Sequence, residues 1–229
     1  SNDLYMAERV TQINARKTRG NPNFKNKNVL IFGGTGGIGS ALEKQLKKDK
    51  AHVTSLGSEV DLSDITLPES LNKKWDIIIH TAGLFIKKPF VELSIEEWNQ
   101  VMDINLRSAF LVAQLAQNTM KSGGWLTFVG SSSSHRGRSS QSVYAASKAA
   151  LNNLTQSLAA EFLDYHIRVN CINPPRTDTP MRHKAFPNEN KNLLAAPERV
   201  AKDILLYCTG EETGHIVNLK YSSQFQVSR

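Results

Sequence analysis

Cysteine is scarce in this chain. Two occur among 229 residues, Cys171 and Cys208, both in apolar contexts and without the spacing of metal ligands. They read as reduced core residues, which fits a cytoplasmic protein better than a disulfide-built secreted one. Long apolar runs are absent as well. None approaches the ~20 residues that a membrane-spanning helix needs, and the polar, charged opening does not read as a signal peptide. Aromatic residues make up 7% and are not interleaved with the basic residues, which lie scattered. That argues against a nucleic-acid surface, where stacking platforms sit within basic grooves. The chain does have 40% hydrophobic residues, enough for one globular domain with a sizeable core, and a net charge of +7. Such a charge either solubilises the surface or draws anionic ligands such as nucleotides and sugar phosphates.

Residues 1–27 read as an N-terminal helix and linker, with the domain proper spanning 28–229. Leu4, Ala7 and Val10 share one side of a helical stretch over 3–16, and the polar, glycine- and proline-containing stretch that follows is linker-like. Either this is an ordinary N-terminal arm or the chain was cut from a longer protein.

From residue 29 onwards, apolar strands alternate with helical patterns. The run 29–32 is a buried strand, and Gly33-Gly34-Thr35-Gly36-Gly37-Ile38-Gly39 leads from it into a helix over 40–50. Strand, glycine loop and helix in that order make a dinucleotide site. The glycines permit a tight turn and close backbone approach to a pyrophosphate at the helix N-terminus. Further strands are expected over 52–56, 75–80, 126–129, 166–172 and 213–219. Ser94 with Glu97 forms a capping box at the start of a helix, and further helices cover 110–120, 144–162 and the segment from Pro197. This alternation predicts one doubly wound, Rossmann-type α/β domain with a parallel sheet of about seven strands. Gly57-Ser58-Glu59 leaves no room for the usual helix after the second strand, so that helix is missing or very short.

The chemistry gathers in the stretch from Ser131 to Lys148. Four serines follow the 126–129 strand, and Tyr144 and Lys148 stand four residues apart at the start of a helix, on one face. A phenol is a poor acid at neutral pH unless a nearby cation stabilises its phenolate. With a serine hydroxyl holding a carbonyl oxygen, the group protonates that oxygen while a hydride reaches its carbon. A lone Tyr-x-x-x-Lys is more often a surface pair. Here it follows a glycine loop and precedes the Asn173-Pro174-Pro175 turn.

In that combination and order, from about residue 28 to 219, the chain resembles the short-chain dehydrogenase/reductase family. The resemblance implies NAD(P)-dependent catalysis with Tyr144 as proton donor, Lys148 lowering its pKa and binding the nicotinamide ribose, Ser131 holding the carbonyl, and Asn105 interrupting its helix to support a proton relay. Ser131 is chosen because it lies thirteen residues before Tyr144. Cofactor contacts implied are Gly33, Thr35, Gly36, Gly37, Ile38, Ser58, Asp61, Leu62, Ala82, Gly83, Pro174, Thr177 and Thr179, with Tyr144 and Lys148. Departures are Phe32, His80, Thr81 and Pro175. No carboxylate ends the second strand, so NADP(H) is favoured over NAD(H). The resemblance also implies a homodimer.

Arg136, Arg138, Arg176 and Arg182 are candidate substrate contacts, with Lys87, Lys88 and Lys184 near the same mouth; together they point to an anionic carbonyl substrate. The first ten residues are similar to the closing helix of bacterial cytidylyltransferase domains that make CDP-alcohols. The combined resemblance is to the reductase half of bifunctional enzymes that reduce D-ribulose 5-phosphate and couple the ribitol 5-phosphate to CTP for capsule or wall polymers. A neutral or acyl-carrier-linked ketone, and a non-catalytic dinucleotide-binding or assembly domain, are the alternatives left open.

Overall fold

A computed structural model of the chain describes residues 22–57, 67–120 and 123–221. The expected N-terminal helix, Ser58, Glu59, Asp61, Leu62 and the last eight residues lie outside the described residues. Six parallel strands form one sheet: β1 (Asn28–Phe32), β2 (His52–Leu56), β3 (Ile77–His80), β4 (Gly124–Val129), β5 (Ile167–Asn173) and β6 (Ile216–Asn218). Their order is β2-β1-β3-β4-β5-β6. About seven strands were expected; the described residues hold six. Between β2 and β3 those residues hold only a single 3₁₀ turn, Glu69–Leu71.

Alternation along each strand builds two cores. Leu30, Phe32, Ile78, Leu126, Phe128, Val169 and Cys171 point to one face. Val29, Ile31, Ile77, Ile79, Val129 and Ile172 point to the other. A parallel sheet buried on both faces needs helices on both. One layer is α3 (Ser108–Thr119) and α4 (Ser142–Glu161), where Ala109, Ala113 and Ala116 allow close packing. The opposite layer is α1 (Gly37–Lys48) and α6 (Pro197–Leu205), which pack against one another; the short α5 (Pro180–Ala185) precedes α6 in the chain. Cys171 and Cys208 are free thiols buried in these cores, and burial pushes both up to about 12, so they stay protonated and inert. Among the described residues, no helix is long and apolar enough to cross a membrane.

The order reverses between β1 and β3. The chain leaves β1 toward β2, then crosses back, and every later strand adds on the far side. At such a reversal the loops after neighbouring strands part and leave a crevice. Thr81 stitches that crevice shut at its base: its N–H donates to Phe32 O at 2.8 Å and its hydroxyl approaches Phe32 O and Gly33 O at 2.9 and 3.0 Å.

Helix α2 (Ile95–Met102) begins at Ser94, whose hydroxyl accepts from Glu97 N at 3.2 Å while Glu97 accepts from Ser94 N at 2.9 Å. It does not run straight into α3. A π turn, Asp103–Arg107, intervenes and carries Asn105 at its centre. Ser94→Ala removes one half of the reciprocal cap that starts this segment. We expect it to destabilise the fold by about 1 kcal/mol, read as a lower urea midpoint with unchanged slope; a midpoint equal to wild type would mean that the cap contributes nothing.

Candidate active site

The crevice opens into a cavity of about 340 Å³ at the C-terminal edge of the sheet. The glycine loop forms its floor. Gly33 has a φ of +85°, and its N–H and that of Gly34 donate to Leu56 O at 2.8 Å, so the loop turns sharply beside β2. A Cβ at Gly37 would fall 2.6 Å from the Thr179 side chain, which keeps a narrow channel open between α1 and the loop after β5. Helix α1 starts at Gly36 with no side-chain cap and no acidic residue in its first turn. Its uncapped N–H groups and positive dipole end fit a pyrophosphate. These residues therefore fit a dinucleotide. Thr35, Gly36, Gly37, Ile38, Gly83, Pro174, Thr177 and Thr179 all line the cavity. Gly33 and Ala82 lie just behind it, packed so closely that a Cβ on Gly33 would meet Ala82 N at 2.6 Å.

The opposite wall carries Ser131, Tyr144 and Lys148. Helix α4 presents the last two one turn apart, and the Lys148 ammonium lies 5.9 Å from the Tyr144 ring centre. Lys148 donates to Val129 O at 3.0 Å, and burial pushes its pKa down to about 8. Burial likewise raises Tyr144; the Ser131 hydroxyl and the charge of Arg182 act in the opposite sense. The sequence pointed to Lys148 as the cation beside the phenol; the structure keeps its ammonium near the Tyr144 ring while it bonds the end of β4, and adds the charge of Arg182.

Asn105 is fully buried behind Gly83. Its Oδ1 accepts from Leu84 N at 2.7 Å, and its Nδ2 donates to Leu84 O at 3.0 Å and to Ser147 Oγ at 2.9 Å. It thus ties the loop after β3 to α4, one residue from Lys148. A Cβ on Gly83 would stand 3.5 Å from both Asn105 Oδ1 and Lys148 Nζ, so the absent side chain leaves this corner open. His80 is buried, 2.6 Å from Ser108 Oγ, and burial drives its pKa down to about 3; it is a neutral packing residue beneath the π turn.

Other residues here were not foreseen from the sequence. Asn173 Oδ1 accepts the Ser131 N–H at 2.9 Å, reaching it across Gly130, where a Cβ would stand 1.9 Å from that oxygen. Phe85 meets Tyr144 edge-on at 4.5 Å, and Phe186 packs on Phe85 at 5.9 Å, closing the substrate side with an aromatic wall. Glu189 binds two of the predicted arginines. It accepts from Arg182 at 2.6 and 2.7 Å and from Arg176 at 3.0 Å. Asn173 had a weak signal, its place in the turn before Pro174. Nothing local marked Glu189, because its meaning depends on two arginines brought to it by folding.

The predicted basic mouth is brought together only in part. Arg138, Arg176 and Arg182 line the cavity. Arg136 is exposed and does not line it, because its loop carries it outward. Lys88 is paired with Glu97 at 3.0 Å, Lys87 lies over the Phe186 ring at 4.5 Å, and Lys184 is exposed.

A doubly wound sheet with a phosphate-binding loop at its switch point, facing a serine, a phenol and an ammonium, defines an NAD(P)-dependent oxidoreductase. Residues 65–202, more than half of the chain, match the family profile described as Enoyl-(Acyl carrier protein) reductase. The chain belongs to the short-chain dehydrogenase/reductase family. It is 33% identical over 180 residues to a tropinone reductase homologue of Arabidopsis thaliana, covering 65% of this chain and 68% of that one. It is 32% identical over 235 residues to the bifunctional ribulose 5-phosphate reductase/CDP-ribitol pyrophosphorylase Bcs1 of Haemophilus influenzae, covering 95% of this chain and 49% of that protein. The chain therefore spans about half the length of that relative. A short-chain dehydrogenase of Shigella flexneri 2a, solved with NADP, superposes with a TM-score of 0.77 at 30% identity over 86% of this chain and 98% of that one.

Lys148 binds its proton more weakly in the fold than in the unfolded chain. The unfolded chain therefore takes up the extra proton between about 8 and 10.5, and stability climbs with pH across that window. The cost of burying the charge is fully present below about 8. In the ligand-free protein, Lys148→Met should be more stable than wild type at pH 7 by roughly 1–3 kcal/mol, and the gap should narrow toward pH 10.5. Urea midpoints of both proteins across that range test this; a gap independent of pH would show that the buried charge is not its source.

Proposed function

We propose that the protein is an NADPH-dependent reductase of a phosphorylated ketose, converting D-ribulose 5-phosphate to ribitol 5-phosphate. The observation that carries this reading is the presence of Arg138, Arg176 and Arg182 on the walls of the cavity that holds Ser131, Tyr144 and Lys148. Guanidinium groups bind phosphate through paired hydrogen bonds. The likeness over nearly the whole chain to a protein named for ribulose 5-phosphate reduction supports the same substrate.

A bound reduced nicotinamide supplies the hydride. The chain's own residues do the rest. Ser131, held by Asn173, orients the carbonyl oxygen, and Tyr144 gives that oxygen its proton as the carbon is reduced. Lys148 and Arg182 supply positive charge beside the phenol, and Asn105 holds the loop and helix that frame them. Preference for NADPH rests on the end of β2, where Ser55, Leu56 and Gly57 present no carboxylate against a 2′-phosphate. A cytidylyltransferase domain upstream fits both the similarity of the first ten residues and the length of the bifunctional relative; CDP-ribitol synthesis for a capsule or wall polymer is the role that follows. A homodimer and a cytoplasmic location complete the proposal.

A second reading has one observation in its favour. Phe85 and Phe186 make the substrate side apolar, which suits a neutral or acyl-carrier-linked ketone. The two readings part on a direct comparison. NADPH oxidation should be faster with ribulose 5-phosphate than with ribulose by at least about tenfold in kcat/KM. Arg138→Ala should raise KM for the phosphate alone, and NADH should serve less well. Equal rates on the two sugars would remove the phosphate argument.

Tyr144→Phe tests the chemistry. It removes the transferable proton and leaves the cavity shape intact, so kcat should fall by about a hundredfold or more while NADPH fluorescence titration stays as in wild type. Wild-type kcat in this variant would rule out the assigned donor.

A further inference from the structure

Arg176 and Arg182 line the cavity, yet both guanidinium groups converge on one carboxylate of their own chain. Arg182 uses Nε and Nη2 on the two oxygens of Glu189, a paired fork, while Arg176 Nη1 shares Oε1. The Glu189 side chain is 15% exposed and that of Arg182 21%. The two arginines hold the Glu189 carboxyl below the usual carboxylate range, Arg182 more strongly. The other acid of this segment, Asp178, pairs with His183.

The surroundings connect this cluster to the reacting end of the cavity. The Arg182 guanidinium stacks on Phe186 at 3.7 Å, Phe186 packs on Phe85, and Phe85 meets Tyr144. The segment that carries Glu189 is clamped at its base, where Ala195 N donates to Arg176 O at 2.8 Å and Asp178 N to Ala195 O at 2.9 Å. Glu189 thus sits on a loop whose ends are fixed.

We propose that Glu189 is an internal stand-in for the substrate's anionic group: it occupies Arg182 and Arg176 until a phosphate takes its place, and this exchange selects dianions over carboxylates and neutral carbonyls. The inference rests on the reading that these arginines face the substrate. A carboxylate and a phosphate present the same paired oxygens to a guanidinium fork. The tethered carboxylate acts at an effective concentration on the order of millimolar, so a free carboxylate of equal charge gains nothing by replacing it. A phosphate carries roughly −1.5 to −2 charges and a third oxygen, so Arg176 and Arg182 no longer share one oxygen as they do on Glu189. A neutral ketone cannot make the exchange and meets a closed ion pair.

The test uses the full chain, saturated with NADPH so that the N-terminus of α1 is already filled, and titrates inorganic phosphate by calorimetry. Glu189→Gln keeps the shape and removes the competing charge. It should bind phosphate at least about tenfold more tightly than wild type, and Glu189→Gln combined with Arg182→Ala should lose that gain. Glu189→Asp, which keeps the charge, should stay near wild type and shows that the loop tolerates change here. Affinity in Glu189→Gln equal to or weaker than wild type, or a gain that survives loss of Arg182, would overturn the proposal. A gain in phosphate binding without turnover of ribulose 5-phosphate would sink the substrate assignment and leave the exchange standing. Turnover of ribulose 5-phosphate with no such gain would do the reverse.

Discussion

Lys148 brings its ammonium group into the wall of the cavity and donates a hydrogen bond to Val129 O, 3.0 Å away at the end of β4. A buried cation bonded to a neutral carbonyl is costly, and burial pushes its pKa down to about 8. Much of the neighbouring structure keeps the charge tolerable and in place. Gly83 has no side chain to intrude, Asn105 fixes the loop that carries Gly83, and Ser147 on α4 accepts from Asn105. The π turn carries Asn105 as its buried residue, with the carboxamide inside the protein. A glycine, an asparagine, a serine and a helical irregularity thus gather around one buried cation.

The fold was legible because its signals are local or periodic. Two-residue alternation in β1, β3, β4 and β5 divides their side chains between two cores, and each helix that covers them shows its own apolar stripe. The capping box at Ser94 and the glycine loop after β1 are short patterns with direct geometric meaning. Strand limits were less legible: β3 begins at Ile77, after Trp75 and Asp76, because Trp75 turns into the core and donates to Leu71 O. Tyr144, Lys148 and Ser131 were legible for a similar reason. Their spacing on one helix and at one strand end leaves little choice of where they meet.

What was not legible depends on contacts between distant segments. Asn173 looked like part of a turn, but its role follows from Gly130, which lies beside it only because β4 and β5 are neighbours. Phe85 and Phe186 come from opposite sides of the cavity and become a wall only when the segment after β5 folds over. The basic residues were the hardest to read. Seven were candidates for one mouth, and folding sent them to different tasks: an ion pair for Lys88, a ring face for Lys87, solvent for Arg136 and Lys184, and a shared carboxylate for Arg176 and Arg182.

A cation near a cavity therefore says little until its neutralising partner is known. The scaffold that carries hydride transfer is encoded by side chains whose partners are backbone atoms: Lys148 on Val129 O, Asn105 on both polar groups of Leu84, Asn173 Oδ1 on Ser131 N. Each such pairing needs only one particular side chain, because its backbone partner is supplied at any sequence. In the proposed reading, substrate choice rests on side chains paired with other side chains, Arg182 with Glu189 and Phe85 with Phe186, which lie outside the sheet. This separation lets one α/β scaffold keep its chemistry while the segment over the cavity changes which carbonyl it admits. It also explains why motif and fold reach the reaction class directly, whereas the substrate must be read from the charge balance of a short segment between β5 and α6.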